Sequence, residues 1–450
     1  MDKFFRISER GSTVRREIIG GVTTFFTMAY ILFVNPEILS GAVGTSQAAM
    51  ASLFVATCIA AALGSILTGL MANVPFAQAP GMGLNAFFVV TIVGAMGYTW
   101  QEGFAIVFLS GIIFLAIAVS PLRKKIIAAI PMGLKAAIGA GVGLFIAFIG
   151  FNSALVSLGP PEPSLQWVIN GAVNHGALLT LIGIIITAVL MARRVRGAIF
   201  IGILLTTLIG IPMGVTTLPT SFTTSDISLS YTFLQMDFAG AIPRHLTAVL
   251  PFATAMISLV IVEVFGVVGT LIGTADNAGM LDKDGNLPQG DRAIVADAIA
   301  TLTGAAIGTS TVTTYIESAA GISEGAKTGL TPIVTGVLFL LAIVLAPLAG
   351  VIPAAATAPA LIIVGVLMTK GATKIAWDDM EIAVPCFLTM VVMPFAYDIT
   401  GGIAFGFISY CLIKLLRGKA RQVSALAYGI AAFFLLMYVL NIVYAVSLQT

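Results

Sequence analysis

Long apolar runs separated by short polar or basic stretches organise this chain from end to end. They lie at 18–34, 48–72, 80–96, 104–119, 131–151, 177–191, 198–213 and 248–272, then at 294–307, 309–322, 330–348, 354–368, 382–395, 403–416 and 423–446. A helix crossing a bilayer needs about 20 apolar residues. The longer runs are therefore expected to span, and the shorter ones to be half-helices or tilted pieces buried among their neighbours.

Composition makes lipid the natural solvent. Hydrophobic residues form 58% of the chain and charged residues only 9%, where a soluble domain carries about a quarter charged. The net charge of +2 points to no nucleic-acid partner. Cys58, Cys386 and Cys411 sit inside apolar runs without metal-ligand spacing and read as small buried hydrophobes. His175 and His245 stand alone near segment ends, so zinc is not expected. The basic N-terminus reads as part of the mature chain, because the first apolar run is too long for a cleavable signal core.

Positive charges set the expected orientation. Lys3 to Arg16, Arg123 to Lys125, Arg193 to Arg196, Lys283 with Arg292, Lys327, Lys370 with Lys374, and Lys414 to Arg421 fall on one side if the runs span in turn. That side, with the N-terminus, is expected to be cytoplasmic in a cell membrane. The opposite loops 152–175 and 216–243 hold almost no Lys or Arg. The run 423–446 would put the C-terminus outside if it spans, and inside if it packs on the bundle.

Two strings resemble each other: LAIAVSPL at 115–122 and LAIVLAPL at 341–348, each followed by Ile-Pro (Ile130-Pro131, Ile352-Pro353). The first closes segment four and the second segment eleven. This implies an all-α polytopic membrane protein of about fourteen segments in two seven-helix repeats, 1–225 and 243–422, with 423–450 as an extra C-terminal helix. An odd number of helices per repeat inverts the second copy, an arrangement typical of secondary transporters. The third segment of each repeat, at 78–88 and 308–321, is dense in Gly, Ser, Thr or Pro and is expected to be broken, with short extended stretches. Irregular backbone at membrane depth survives only where protein or a water-filled cavity satisfies it. Gly81, Gly83 and Gly321 are expected to serve as backbone, through positive φ or close approach.

Two acids stand inside apolar segments. Glu263 in segment eight has no other ionisable residue within ten positions, and Glu317 lies in the broken segment ten. A charge at the bilayer centre costs about 3 kcal/mol or more, so such residues face a cavity or a partner. A carboxyl that can both accept and, when protonated, donate suits recognition of a planar base and carriage of a proton. Asp297 in segment nine reads as structural, near a helix start. Glu17, Glu37, Glu381 and Asp398 read as interfacial. Tyr30, Phe87, Phe88, Phe265 and Tyr315 are aromatics that could stack on a flat ligand.

At 15–30 (RREIIGGVTTFFTMAY), 79–88 (APGMGLNAFF), 278–285 (AGMLDKDG) and 308–321 (GTSTVTTYIESAAG) the chain resembles the AzgA-like purine permeases (hypoxanthine, guanine or adenine carriers) of the nucleobase–ascorbate, or xanthine/uracil permease, superfamily. The resemblance covers nearly the whole chain. It implies a core domain at 15–121 and 244–350, a gate domain at 122–215 and 351–418, and a purine held between them against segments one, three, eight and ten. It implies proton symport, with Glu317 and Glu263 at the family's acidic positions and Asn85 at its segment-three asparagine. Thr27, Gly83, Phe87, Tyr315 and Ser318 lie in the same matching strings and complete the expected substrate contacts, with Glu263 and Glu317 also expected to carry the proton. One departure stands out: relatives read Phe-Asp-x-x-Gly-Thr where this chain has Phe265-Gly266-Val267-Val268-Gly269-Thr270. This leaves Glu263, one turn earlier, as the acid of the segment.

The expected partners are a purine nucleobase and the lipid bilayer, with no nucleic acid; a homodimer is left open. No cofactor or metal is expected, the proton gradient being the driving force. A same-fold carrier of uracil, xanthine or an inorganic anion is the alternative, and the lack of Lys or Arg in either broken segment weighs against an anion. No nucleophile–base set, metal cluster or phosphate loop suggests an enzyme.

Overall fold

The structure, a computed structural model, describes residues 2–121, 131–154, 175–217, 227–243, 246–277, 280–282, 287–348 and 351–447. The basic cluster Arg123 to Lys125, Arg244, His245, most of loop 152–175 and much of the string 278–285 lie outside the described residues.

Every expected run falls on regular structure. The first run is longer than its hydropathy suggested. Helix α1 (Val14–Met28) turns at Ala29–Tyr30 into α2 (Ile31–Val43), which continues through Pro36. There follow α3 (Gln47–Met71), strand β1 (Gln78–Pro80), α4 (Met82–Phe87) with a π-helical continuation Phe88–Ala95, and α5 (Trp100–Val119). Thr99 and Glu102 close a reciprocal cap at the start of α5. Next come α6 (Met132–Ala154), α7 (His175–Ala192) and α8 (Ala198–Gly210).

The second half repeats the pattern with α9 (Leu246–Asn277), α10 (Gly290–Ile307), strand β2 (Val312–Thr314), α11 (Ser318–Ser323) and α12 (Leu330–Leu341). It ends with α13 (Ala354–Thr369), α14 (Met380–Phe395), α15 (Ile399–Leu416) and α16 (Ala425–Ser447). The two similar strings differ in form: the first is α-helical to Val119, while the second tightens into a 3-10 helix, Ala342–Leu348, that contains Pro347. Among the described residues nine helices are long and apolar enough to cross a membrane, and four more are shorter and apolar.

Packing divides the helices into two groups. In one, α1 and α3 lie against α12, α10 lies against α3 and α5, and α9 lies against α5. In the other, α6 packs on α13 and α14, α14 on α15, and α7 and α8 on each other and on α13. The groups touch where α8 meets α1, α13 meets α2, and α9 meets α6 and α15. The two strands sit inside the first group, covered by α3, α9 and α10.

Candidate functional site

The two broken segments cross each other. Helix α10 stops at Gly308, whose φ of +99° is a left-handed conformation that glycine adopts without a Cβ penalty. The β-branched stretch after it favours extended backbone. In segment three, Pro80 fixes its own φ and pushes Ala79 away from helix. The resulting strands pair antiparallel, with Gln78 opposite Thr314, Ala79 opposite Thr313 and Pro80 opposite Val312. Gly81 N donates to Thr311 O and Tyr315 N to Ala77 O, extending the ladder at both ends.

A two-stranded ladder leaves outward backbone groups that a bilayer cannot satisfy. Side chains do so here. Ser65 on α3 accepts from Gln78 N and donates to Gln78 O, both at 2.9 Å. Thr301 on α10 donates to Val312 O at 3.0 Å, Tyr315 donates to Pro80 O at 2.5 Å, and Ser318 Oγ accepts from Ala77 N at 3.0 Å. Tyr315 and Ser318, expected as ligand contacts, thus hold the crossing together.

Glu317 closes the loop between β2 and α11 and is half-buried. It accepts from the hydroxyl of Tyr30 at 2.5 Å, and Tyr30 is wholly buried at the bend between α1 and α2. Thr27, one turn before that bend, is half-buried and donates to its own helix at Thr23 O and Thr24 O.

Glu263 is placed elsewhere, deep against α10, and among the described residues shares no hydrogen-bond partner with Glu317. Its Oε1 accepts from Thr301 at 2.9 Å, while its buried Oε2 has no hydrogen-bond partner among the described residues. One turn earlier on α10, Asp297 Oδ1 accepts from Gln78 Nε2 at 3.1 Å and Thr314 Oγ1 at 2.9 Å. Asp297 is fully buried two turns inside a helix that begins at Gly290, so it is not the dipole-complementing residue that the sequence suggested. Gln78, Asp297 and Thr301 form a polar layer under the strands that hydropathy did not reveal.

Asn85 belongs to a second buried layer. It donates to Asn35 Oδ1 and accepts from Ser310 Oγ, and Asn35 in turn donates to Thr57 and Thr309. Phe87 is buried in the hydrophobic core. The expected glycines work by close approach alone. Gly81 has φ −81°, and neither Gly83 nor Gly321 takes a positive φ. A Cβ on Gly83 would lie 2.2 Å from Val142 Cγ1 on α6, and one on Gly321 would lie 2.2 Å from Thr24 Oγ1 on α1. At Gly266 a Cβ would meet nothing within 4 Å among the described residues.

The acids expected at segment ends also divide. Glu17 is fully buried and accepts from Lys327 N, Thr328 N and Thr331 Oγ1, capping the entry to α12. Asp398 caps α15 through Thr400 N and Gly401 N. Glu381 holds Lys414, Arg417 and Lys419.

The sequence matches the model of the Permease family over residues 15–405. It is 42% identical to the adenine permease AdeP of Escherichia coli K12, over 98% of this chain and 96% of that protein. It is 43% identical to the guanine/hypoxanthine permease PbuG of Bacillus subtilis 168, over 98% of this chain and 99% of that protein. The fold is similar to the transmembrane domain of the cyanobacterial bicarbonate transporter BicA, with a TM-score of 0.63 at 16% identity over 86% of this chain and 97% of the other. It is also similar to the murine anion transporter Slc26a9, with a TM-score of 0.60 at 10% identity over 90% of this chain and 69% of the other.

Proposed function

Because the chain belongs to the Permease family, we propose that it imports purine nucleobases through a cell membrane by proton symport. The observation that carries this reading is likeness along nearly the full chain to adenine and guanine/hypoxanthine permeases. The geometry supports it. Glu317 sits half-buried beside the crossing strands, oriented by Tyr30. A carboxylate there can accept from neighbouring N–H groups on one edge of a planar ring. Neither broken segment carries a Lys or Arg to balance an anionic substrate.

In this proposal the first packing group is the core and the second is the gate, and transport is the movement of one against the other, with the N-terminus in the cytoplasm. Glu263 is the proton carrier. Thr301 has one hydroxyl proton and two acceptors, Glu263 Oε1 and Val312 O. With a proton on Glu263, the acid can donate to Thr301 and leave the threonine's own proton for Val312 O. Without it, the carboxylate competes for that proton and weakens the support of β2. Protonation would thereby be felt in the strand that leads to Glu317.

The test is uptake of radiolabelled adenine and hypoxanthine by proteoliposomes under an imposed pH gradient, with unlabelled purines, pyrimidines and bicarbonate as competitors. Accumulation that collapses with the pH gradient and is blocked by purines supports the proposal. Accumulation that follows sodium, or competition by bicarbonate alone, overturns it.

A further inference from the structure

Glu381, near the start of α14, accepts hydrogen bonds from Lys414 Nζ at 2.5 Å, Lys419 Nζ at 2.6 Å and Arg417 Nε at 3.1 Å. One carboxylate cannot neutralise three cations; of the two acids just before it, Asp379 caps α14 and Asp378 is exposed. Lys414 is buried with Glu381, whereas the Arg417 side chain is 66% exposed and its terminal nitrogens bond nothing among the described residues. Arg421, in the turn before α16, is also exposed. Two apolar side chains next to these charges are open: Leu416 is 84% exposed and Met380 67%. Cations bordered by exposed hydrocarbon mark the level at which lipid headgroups meet acyl chains.

A second feature lies at the start of the next helix. A groove of about 220 Å³ runs between α5, α9 and the first turns of α16, and among the described residues it is lined by apolar side chains, including Ile113, Val260, Val264, Leu426 and Ile430. Leu426 stands in the first turn of α16, directly after the turn that carries Lys419 and Arg421. Among the described residues the groove has no polar group to orient a soluble ligand, and Arg417, whose Nε is taken up by Glu381, keeps its terminal nitrogens for a further anion.

We propose that this corner binds one anionic phospholipid, its phosphate held by Arg417 and Lys419 and an acyl chain lying in the groove beside α16. Arg offers a planar fork suited to phosphate, and Lys a point charge beside it. The site is separate from the crossing strands and does not depend on what the protein transports.

Binding is tested on the purified full chain in detergent, by thermal unfolding and by native mass spectrometry. The probes are dioleoyl phosphatidylglycerol, dioleoyl phosphatidylcholine and glycerol phosphate. Phosphatidylglycerol should raise Tm by about 2 °C or more and leave a retained lipid mass, since a ligand of the folded state alone stabilises it. Phosphatidylcholine and glycerol phosphate should do neither. Arg417→Gln with Lys419→Gln should abolish the phosphatidylglycerol shift while keeping the unliganded fold, because Lys414 still pairs with Glu381. Ile430→Trp, which fills the groove, should reduce it. Equal shifts from the two lipids, protection by glycerol phosphate alone, or an unchanged shift in the double variant would overturn the proposal.

Discussion

Tyr30 donates its phenol to Glu317 Oε1 at 2.5 Å across 287 residues of chain, joining the bend between α1 and α2 to the start of α11. Glu317→Gln keeps the size of the side chain but cannot accept two N–H bonds through a carboxylate. Loss of a hydrogen bond to a charged group is worth about 1.5–3 kcal/mol, so purine affinity should fall about tenfold or more. Tyr30→Phe should weaken binding less, by loosening the carboxylate. Calorimetry on the purified variants decides; parent-like affinity in Glu317→Gln would remove it as the anchor.

Glu263 sits against Thr301, away from Glu317. Glu263→Gln should therefore retain purine binding and exchange across the vesicle membrane, yet fail to concentrate purine against a gradient. Counterflow and net uptake in the same proteoliposomes separate these outcomes. Net accumulation by the variant would mean that the proton travels elsewhere.

The helical glycines differ in what surrounds them. Gly321→Ala places a methyl 2.2 Å from Thr24 Oγ1 and 2.5 Å from Gly20 O, in a contact that backbone limits. Overpacking of this kind costs about 1–3 kcal/mol, and Tm should fall. Gly266→Ala meets open space and should hold or raise Tm, since alanine is favoured over glycine in helix by about 1 kcal/mol. Melting curves of both variants test the contrast, which fails if they shift alike.

Arg196, between α7 and α8, pairs with Glu324 at the end of α11, bridging the two packing groups. The pair is partly exposed, so it is worth about 1 kcal/mol or less and is screened by salt. Arg196→Glu should change the transport rate at low ionic strength, and adding Glu324→Arg should restore it. A double variant no better than the single one would deny the pair any part in the movement.

Glu17 has no exposure and accepts two backbone N–H groups and a hydroxyl. Glu17→Ala strands those donors and should destabilise the protein by about 3 kcal/mol, seen as a large drop in Tm. A parent-like melt would show that the entry to α12 is satisfied another way.

Helix positions, the broken third segments and the isolated acids Glu263 and Glu317 were legible in the sequence because each is a local signal. An apolar run needs lipid or protein around it whatever lies next to it, and a lone carboxyl inside such a run is costly wherever the run packs. The partners of those acids were not legible. A threonine on an apolar helix can turn its hydroxyl back to its own helix, as Thr57 and Thr68 do, or away from it, as Thr301 does to reach Glu263. Nothing in the neighbouring residues distinguishes the two. Ser65, Gln78, Asp297 and Asn35 acquired their roles only when the two strands crossed and left outward backbone groups to be satisfied. Hydropathy is summed along the chain, whereas hydrogen bonding is settled by which distant groups meet, and that meeting is a property of the tertiary structure alone.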